Sequence, residues 1–509
     1  VDVHTHYDGQ ATWDSYLEPS IYHGVTTVVM GNCGVGFAPA DPSRHDWLIG
    51  LMEGVEDIPG TALAEGITWD WESFPEYLDA LEKVPHSIDL AAQLPHGALR
   101  AYVMGERGAD HTEVPSEDEI EQMRRLAREA VEAGAVGFTT SRTRNHKTVD
   151  GEPTPSLTST PEELWGISDG LGDAGQGAFE IVCDFVDLES EFALIREMAL
   201  RSGRPISLSL AQVNHKPDEW KRVFELIDEA NAAGARMFAQ VAPRPIGVVS
   251  NLDSSLHPFL LNKAYQSVAH LPLPERVVAL RDPELRQQIV DDDARMVFAL
   301  EHLYEVSEPP NYEPEASESI AARAERESTD AKLMALDVLL EDEGQGMLYC
   351  PVLNYARGNS DHSREMLLHP SALPGLGDGG AHVSFISDAS FATYLLTHWA
   401  RDRKRGEKLP LEFLVKRQTH DTAQLVGFED RGVLAPGMKA DVNVIDFEAL
   451  NLLRPEMRYD LPAGGKRLVQ RATGYRFTIV SGVVVMENDA PTGELPGRLL
   501  RGPQAAPVS

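Results

Sequence analysis

Apolar and polar positions fall into two alternating textures along this chain: short apolar or β-branched runs, and longer stretches whose apolar residues recur at helical spacing. Up to about residue 385 the short runs are Val1 to His6, Val25 to Gly31, Ile88 to Leu94, Ala135 to Thr140, Phe179 to Phe185, Ile206 to Gln212, Met237 to Ala242 and Leu373 to Asp378. Strands that alternate with helices build a parallel sheet whose faces the helices cover. Eight such units predict an α/β fold, a distorted (β/α)8 TIM barrel.

The helical stretches carry start signals. Ser116-Glu117-Asp118-Glu119 reads as a capping box ahead of Ile120, Met123, Ala127, Ala130 and Val131 on one face, and Thr160-Pro161-Glu162-Glu163 is a second start. Between the seventh and eighth runs lies a charged, helix-like insertion, roughly Pro272 to Glu343, followed by an extra apolar run from Met347 to Leu353. A lid or an interface element is expected there. After residue 428 the texture turns to short strands and Gly/Pro turns, in Arg431 to Gly437, Ala440 to Asp446 and Thr478 to Val485. The expected division is therefore a barrel over 1–428 and a small β-sandwich part over 429–509. The first strands of that sandwich are expected upstream of Val1, since the sequence opens inside a strand without Met.

Net charge narrows the partners. With 80 acidic against 45 basic residues the chain carries −35, and no Lys/Arg concentration of the kind that binds phosphate backbones is present, so nucleic acid is excluded. No apolar run approaches the ~18 residues of a membrane span. A small-molecule substrate is expected, with self-association left open. Three cysteines without paired spacing fit a reducing compartment, and the cytoplasm is the expected location.

His4-x-His6 closes the first run, and a strand's two-residue period turns both imidazoles to one face, where they can hold one cation. Chance alone gives roughly 0.6 such pairs from 17 histidines in 509 residues, so position must carry the argument. The ends of the runs supply it. Cys33 follows the second, His96 the third, Ser141 and Arg142 the fourth, His215 and Lys216 the sixth, Arg244 the seventh, and Asp378 ends the eighth. In a barrel these ends converge on one rim. Cys33 reads as a thiolate ligand or a small buried residue. Asp378, between glycines, reads as a general base or a turn residue.

These residues resemble the metal-dependent amidohydrolase superfamily, in its N-acyl-D-amino-acid deacylase branch. The likeness is carried by Val3-His4-Thr5-His6-Tyr7-Asp8, by His23 to Thr27 leading into Gly31-Asn32-Cys33-Gly34, by Gly137 to Ser141, and by Asp378-Gly379. Arg431 to Gly437 with Ala440-Asp441 is similar to the family's return into its sandwich. The resemblance implies one or two zinc ions held by His4, His6 and Cys33, with Asp378 as base and further ligand. It also implies histidine ligands on the fifth and sixth strands. Here the fifth strand has none, and the sixth is followed by Asn214-His215-Lys216. His215 moves in, or Asp184 or Glu180 substitutes, or the metal is held differently.

The function expected from this reading is metal-dependent deacylation of an N-acyl-D-amino acid. A bound divalent metal would bring the pKa of its water toward ~7. Asp378 would take and return the proton, His96 or Ser141 would support the oxyanion, and Arg244, Lys216 or Arg142 would meet the substrate carboxylate. The alternatives are a hydrolase of a lactone, cyclic amide or imide, and a non-catalytic binding protein.

Overall fold

The computed structural model describes residues 1–507. Seven ladder strands and the first segment close a ring of eight parallel elements. The strands are β1 (Thr27–Met30), β2 (Asp89–Ala92), β3 (Leu94–Pro95), β4 (Gly137–Arg142), β5 (Ala178–Cys183), β6 (Ile206–Leu210) and β7 (Met237–Val241). Next come β8 (Ile246–Ser250), β9 (Tyr304–Glu305) and β10 (Leu348–Leu353) of the insertion, then β11 (Ala372–Pro374), the eighth strand of the barrel. β2 and β3 are one run interrupted at Gln93: β2 pairs with β1, β3 with β4, and the parallel ladder continues through β5, β6, β7 and β11.

The segment from Val1 to His6 joins the ring through parallel bridges of Asp2 to Val28 and Thr5 to Gly379. Its backbone donors are satisfied on both sides, by Thr27 and Val29 (2.9 and 3.1 Å) and by Gly379 (2.7 Å). The eighth run ladders only to Pro374, because Leu376 and Asp378 take left-handed backbone (φ 60° and 45°) that a strand does not accommodate. Gly379 is fixed by space: a Cβ there would lie 2.7 Å from both Tyr7 Oη and Ser20 Oγ.

The helices follow their signals. Ser116 and Glu119 form the reciprocal capping box of helix Glu117–Ala133, which buries Met123, Ala127, Ala130 and Val131. Thr160 caps helix Pro161–Ala174. α1 (His45–Glu56) follows β1 and buries Leu48, Leu51, Met52 and Val55.

The insertion is larger than its charged texture suggests. β8, β10 and β9 form an antiparallel sheet with β10 central, and with the helices between them they enclose a separate apolar core that includes Leu252, Phe259, Val277, Leu280, Leu336, Leu339 and Leu348. The inserted unit thus begins near Ile246, and the Met347 to Leu353 run is its middle strand. Beyond the barrel come β12 (Val442–Ile445), β13 (Asn451–Leu452), β14 (Glu456–Leu461), β15 (Gly465–Val469), β16 (Ala472–Thr473), β17 (Tyr475–Val480), β18 (Val483–Glu487) and β19 (Ala490–Pro491). They make a four-stranded antiparallel sheet, β12-β17-β18-β19, and two ribbons. Arg431 to Gly437 is bends and turns, contrary to the strand expected there. Buried Arg431 instead pairs with Asp89 (2.7 Å) and Thr27 (2.9 Å) and ties this region to the barrel strands. No helix among the described residues is long and apolar enough to cross a membrane.

Candidate metal centre and active site

The ends of the barrel strands bring His4, His6 and Cys33 together, their potential ligand atoms all within 4.8 Å of one another and all three side chains buried. His4 Nε2 lies 3.3 Å from Cys33 Sγ and 3.4 Å from Asp378 Oδ1, and His6 Nε2 lies 3.7 Å from the same carboxylate oxygen. Cys33 and Asp378 both have positive φ (57° and 45°), as does His382 (48°). Strained backbone of this kind costs about 1 to 3 kcal/mol per residue and gathers where a side chain must be aimed.

Several partners fix these side chains. His4 Nδ1 meets Gln240 Oε1 at 2.8 Å, and Gln240 Nε2 donates to Ser207 Oγ at 2.9 Å. Glu180, on β5, accepts the Cys33 N–H (2.9 Å) and the Ser209 hydroxyl (2.9 Å). Glu56, at the end of α1, approaches His6 Nδ1 to 3.3 Å and His382 Nε2 to 3.6 Å. Of the fifth-strand alternatives, Glu180 faces the centre, whereas Asp184 accepts the backbone N–H of Arg144 (2.9 Å). Glu56, Gln240, His146 and His382 were not picked out from the sequence. A polar residue inside the apolar β7, and a glutamate on the apolar face of α1, are the signals that point to the first two.

Charge states follow from burial. Desolvation pushes the His6 imidazole down to about 4, so it is neutral at pH 7 with a lone pair to share. It pushes the Cys33 thiol well above its ordinary range. For Asp378 burial works the same way, but the neighbouring imidazoles of His6, His4 and His382 outweigh it and hold the carboxyl below the usual carboxylate range. Burial also lowers His146, whose Nδ1 meets Ser141 Oγ at 2.9 Å, to about 3.

The other sequence candidates divide. Ser141 is buried at the end of β4. Arg142, beside it, donates to Ser159 O (3.0 Å) and lies 4.0 Å from Glu191. His96 is buried with both nitrogens engaged, by Thr140 Oγ1 (2.8 Å) and Glu163 Oε1 (3.0 Å), so it has no free donor for an oxyanion. Arg244 is fully buried, 2.9 Å from Asp388 and 3.8 Å above the Tyr312 ring, so its carboxylate partner is internal to the protein. His215 is exposed in a turn and outside the ligand cluster, and Lys216 pairs with Glu219 (2.7 Å) near the surface. The register explains both: β6 ends at Leu210, and the chain has left the rim before residue 215.

The cavity beside Asp378, lined also by Gln10, Glu18, Asp388 and Arg467, is about 20 Å³, room for about one water. A cavity of about 500 Å³ lies elsewhere, against Asp2, Gly24 to Thr26, Val433 and Asn443, and His4, His6, Cys33 and Asp378 do not line it. The convergent chemistry, not the larger volume, marks the site.

A closed parallel barrel with two imidazoles, a thiol and a carboxylate converging on one rim defines a hydrolytic barrel enzyme. The chain belongs to the Amidohydrolase family, which matches it over residues 1–486. It is similar to a D-aminoacylase of Alcaligenes xylosoxydans xylosoxydans, at 26% identity over 98% of this chain and 86% of that one. An N-acyl-D-glutamate deacylase of the same organism is 27% identical, covering 98% and 85%. Among solved structures, that of a D-aminoacylase described as defining a novel subset of amidohydrolases superposes with a TM-score of 0.59 at 23% identity, over 98% of this chain and 88% of that one. The N-acyl-D-glutamate deacylase of Bordetella bronchiseptica, complexed with zinc and a phosphonate inhibitor, gives 0.60 at 21% over the same shares. These superpositions establish the shared fold.

Proposed function

We propose that this protein is a metal-dependent amidohydrolase that deacylates N-acyl-D-amino acids, releasing a carboxylate and a free amino acid. The observation that carries the reading is the convergence of His4, His6 and Cys33 within 4.8 Å, beside Asp378. The donor set fits a cation: the ring nitrogens of His6 are buried without hydrogen-bond partners among the described residues, and two imidazoles with a thiolate are ligands that suit zinc. His4, His6 and Cys33 would hold the ion, with Asp378 as a further oxygen donor. Bound there, zinc supplies Lewis acidity and an activated water at neutral pH.

The protein's own residues do the rest. Asp378, anionic at pH 7, is the general base that takes a proton from the attacking water and returns it to the leaving nitrogen. Ser141 and His146, hydrogen-bonded to each other, are the polar pair placed to meet the substrate carbonyl oxygen. Arg142, on the rim, is the residue we assign to the substrate carboxylate. Substrate specificity for the D series is taken from the similarity to the two Alcaligenes deacylases. The three free cysteines suit a reducing cytoplasm.

The test is hydrolysis by zinc-loaded protein of a panel of N-acetyl-D-amino acids, their L counterparts, and cyclic amides and lactones. Preferential turnover of the D series, lost on chelation and restored by zinc, is the expected result. Turnover of only the cyclic substrates would replace the deacylase reading with ring opening, and absence of bound metal together with absence of turnover would replace it with a binding protein.

A further inference from the structure

α1 presents a buried apolar face made of Leu48, Leu51, Met52 and Val55, and Glu56 is buried with them, 1% exposed. A carboxylate in such a place is costly unless polar groups receive it. Its two oxygens reach two imidazoles from different parts of the chain: Oε1 is 3.3 Å from His6 Nδ1 and Oε2 is 3.6 Å from His382 Nε2. Oε1 and both ring nitrogens of His6 are buried with no hydrogen-bond partner among the described residues. The backbone holds the junction together. The His382 N–H donates to the Glu56 carbonyl, and the next residue, Asp57 (φ 53°), accepts from the Ser384 N–H (3.3 Å) and the Ser384 hydroxyl.

His4 provides the comparison within the same site. Its Nδ1 is engaged by Gln240 at 2.8 Å, which leaves Nε2 facing Cys33 and Asp378. His6 has the same division of nitrogens, with Nε2 on the Asp378 side and Nδ1 on the Glu56 side. Imidazoles that bind metals are commonly oriented by an oxygen acceptor on the opposite ring nitrogen.

We propose that Glu56 is a positioning residue of the centre: it receives the Nδ1–H of His6, so that Nε2 is the nitrogen offered to the site, and its second oxygen fastens the His382 segment that follows Asp378. The inference rests on the metal-centre reading above. Glu56 links helix α1, the first barrel segment and the loop beyond the eighth strand through one carboxylate.

The experiment is zinc affinity by competition with a chromophoric chelator, on the full chain, for wild type, Glu56→Ala, Glu56→Gln and His4→Ala. Glu56→Ala is expected to weaken binding about 10- to 100-fold, and Glu56→Gln to recover part of that loss, because its amide oxygen still accepts from Nδ1. The imidazole ¹⁵N spectrum of the metal-free protein is the second readout: His6 carries its proton on Nδ1 in wild type and redistributes it in Glu56→Ala. Unchanged affinity in Glu56→Ala, with binding lost in His4→Ala, overturns the role of Glu56 alone. Equal loss in both Glu56 variants overturns positioning in favour of direct ligation. Absence of zinc binding by wild type, with no effect of His4→Ala, overturns the metal centre itself and this inference with it. If Glu56→Ala does not fold, Glu56→Gln decides: an affinity loss smaller than that of His4→Ala, with the His6 proton still on Nδ1, supports the proposal, and a loss as large as that of His4→Ala, or a His6 proton no longer on Nδ1 at wild-type affinity, overturns it.

Discussion

His4 Nδ1 lies 2.8 Å from Gln240 Oε1, and because the Gln240 amide nitrogen is committed to Ser207 Oγ, the imidazole must donate from Nδ1. Ser207 in turn donates to Phe179 O at 3.1 Å. A chain of hydrogen bonds from the first segment through the adjacent strands β7, β6 and β5 therefore leaves the His4 Nε2 lone pair facing Cys33 and Asp378. Metal-binding histidines need this tautomer, and here the barrel wall imposes it.

Among the described residues, Asp378 is the one carboxylate within 4 Å of both His4 and His6. Asp378→Asn keeps the shape and removes the proposed base, so kcat is expected to fall about 100- to 10,000-fold with far-UV circular dichroism unchanged. Wild-type turnover in that variant would remove Asp378 from the chemistry.

Zinc affinity is expected to depend on pH through Cys33. Burial holds its thiol well above the ordinary range, and only the thiolate binds a cation, so binding releases a proton. His6 is already neutral above pH 6, its imidazole being pushed down to about 4, and releases none. Below the thiol pKa the apparent affinity therefore rises with pH, by about tenfold per unit from this proton alone. Chelator competition at several pH values checks it: the slope of log affinity against pH should drop by about one in Cys33→Ala, and equal slopes would exclude Cys33 as a ligand.

Arg244 is expected to matter for stability and not for substrate binding. It is wholly buried against Asp388 at 2.9 Å, and taking away one partner leaves a lone interior charge. Arg244→Met should cost about 3 to 5 kcal/mol in urea unfolding. A raised KM for acyl amino acids at unchanged stability would return Arg244 to the substrate.

His215 and Lys216 are expected to be nearly silent. Lys216 is 40% exposed and its pair with Glu219 is a surface one, so Lys216→Ala should shift stability by less than about 1 kcal/mol. His215→Ala should retain wild-type zinc stoichiometry by atomic emission. Loss of an equivalent of zinc would place His215 in the centre after all.

Much of the barrel was legible because its signals are local. The eight apolar runs mark the ring elements, the Ser116 and Thr160 caps start helices as written, and the strand period puts His4 and His6 on one side. The start of the insertion is not legible in the sequence because its first strand, β8, follows β7 almost directly and shares its apolar texture. Around the site, residues at strand tips were named without their partners. Arg244 and His96 looked available because the carboxylates that occupy them, Asp388 and Glu163, sit on other elements.

The sequence by itself determined the alternation of strands and helices, the face on which His4 and His6 lie, and the presence of a thiol and a carboxylate at strand ends. These depend on a two-residue or 3.6-residue period and on caps read within a few positions. Only the tertiary structure decided which polar groups meet: Gln240 with His4 across 236 residues, Glu56 with His6 and His382, Arg244 with Asp388. A buried polar atom takes the partner that ring closure brings within reach, and that choice leaves no trace in the local pattern of the chain.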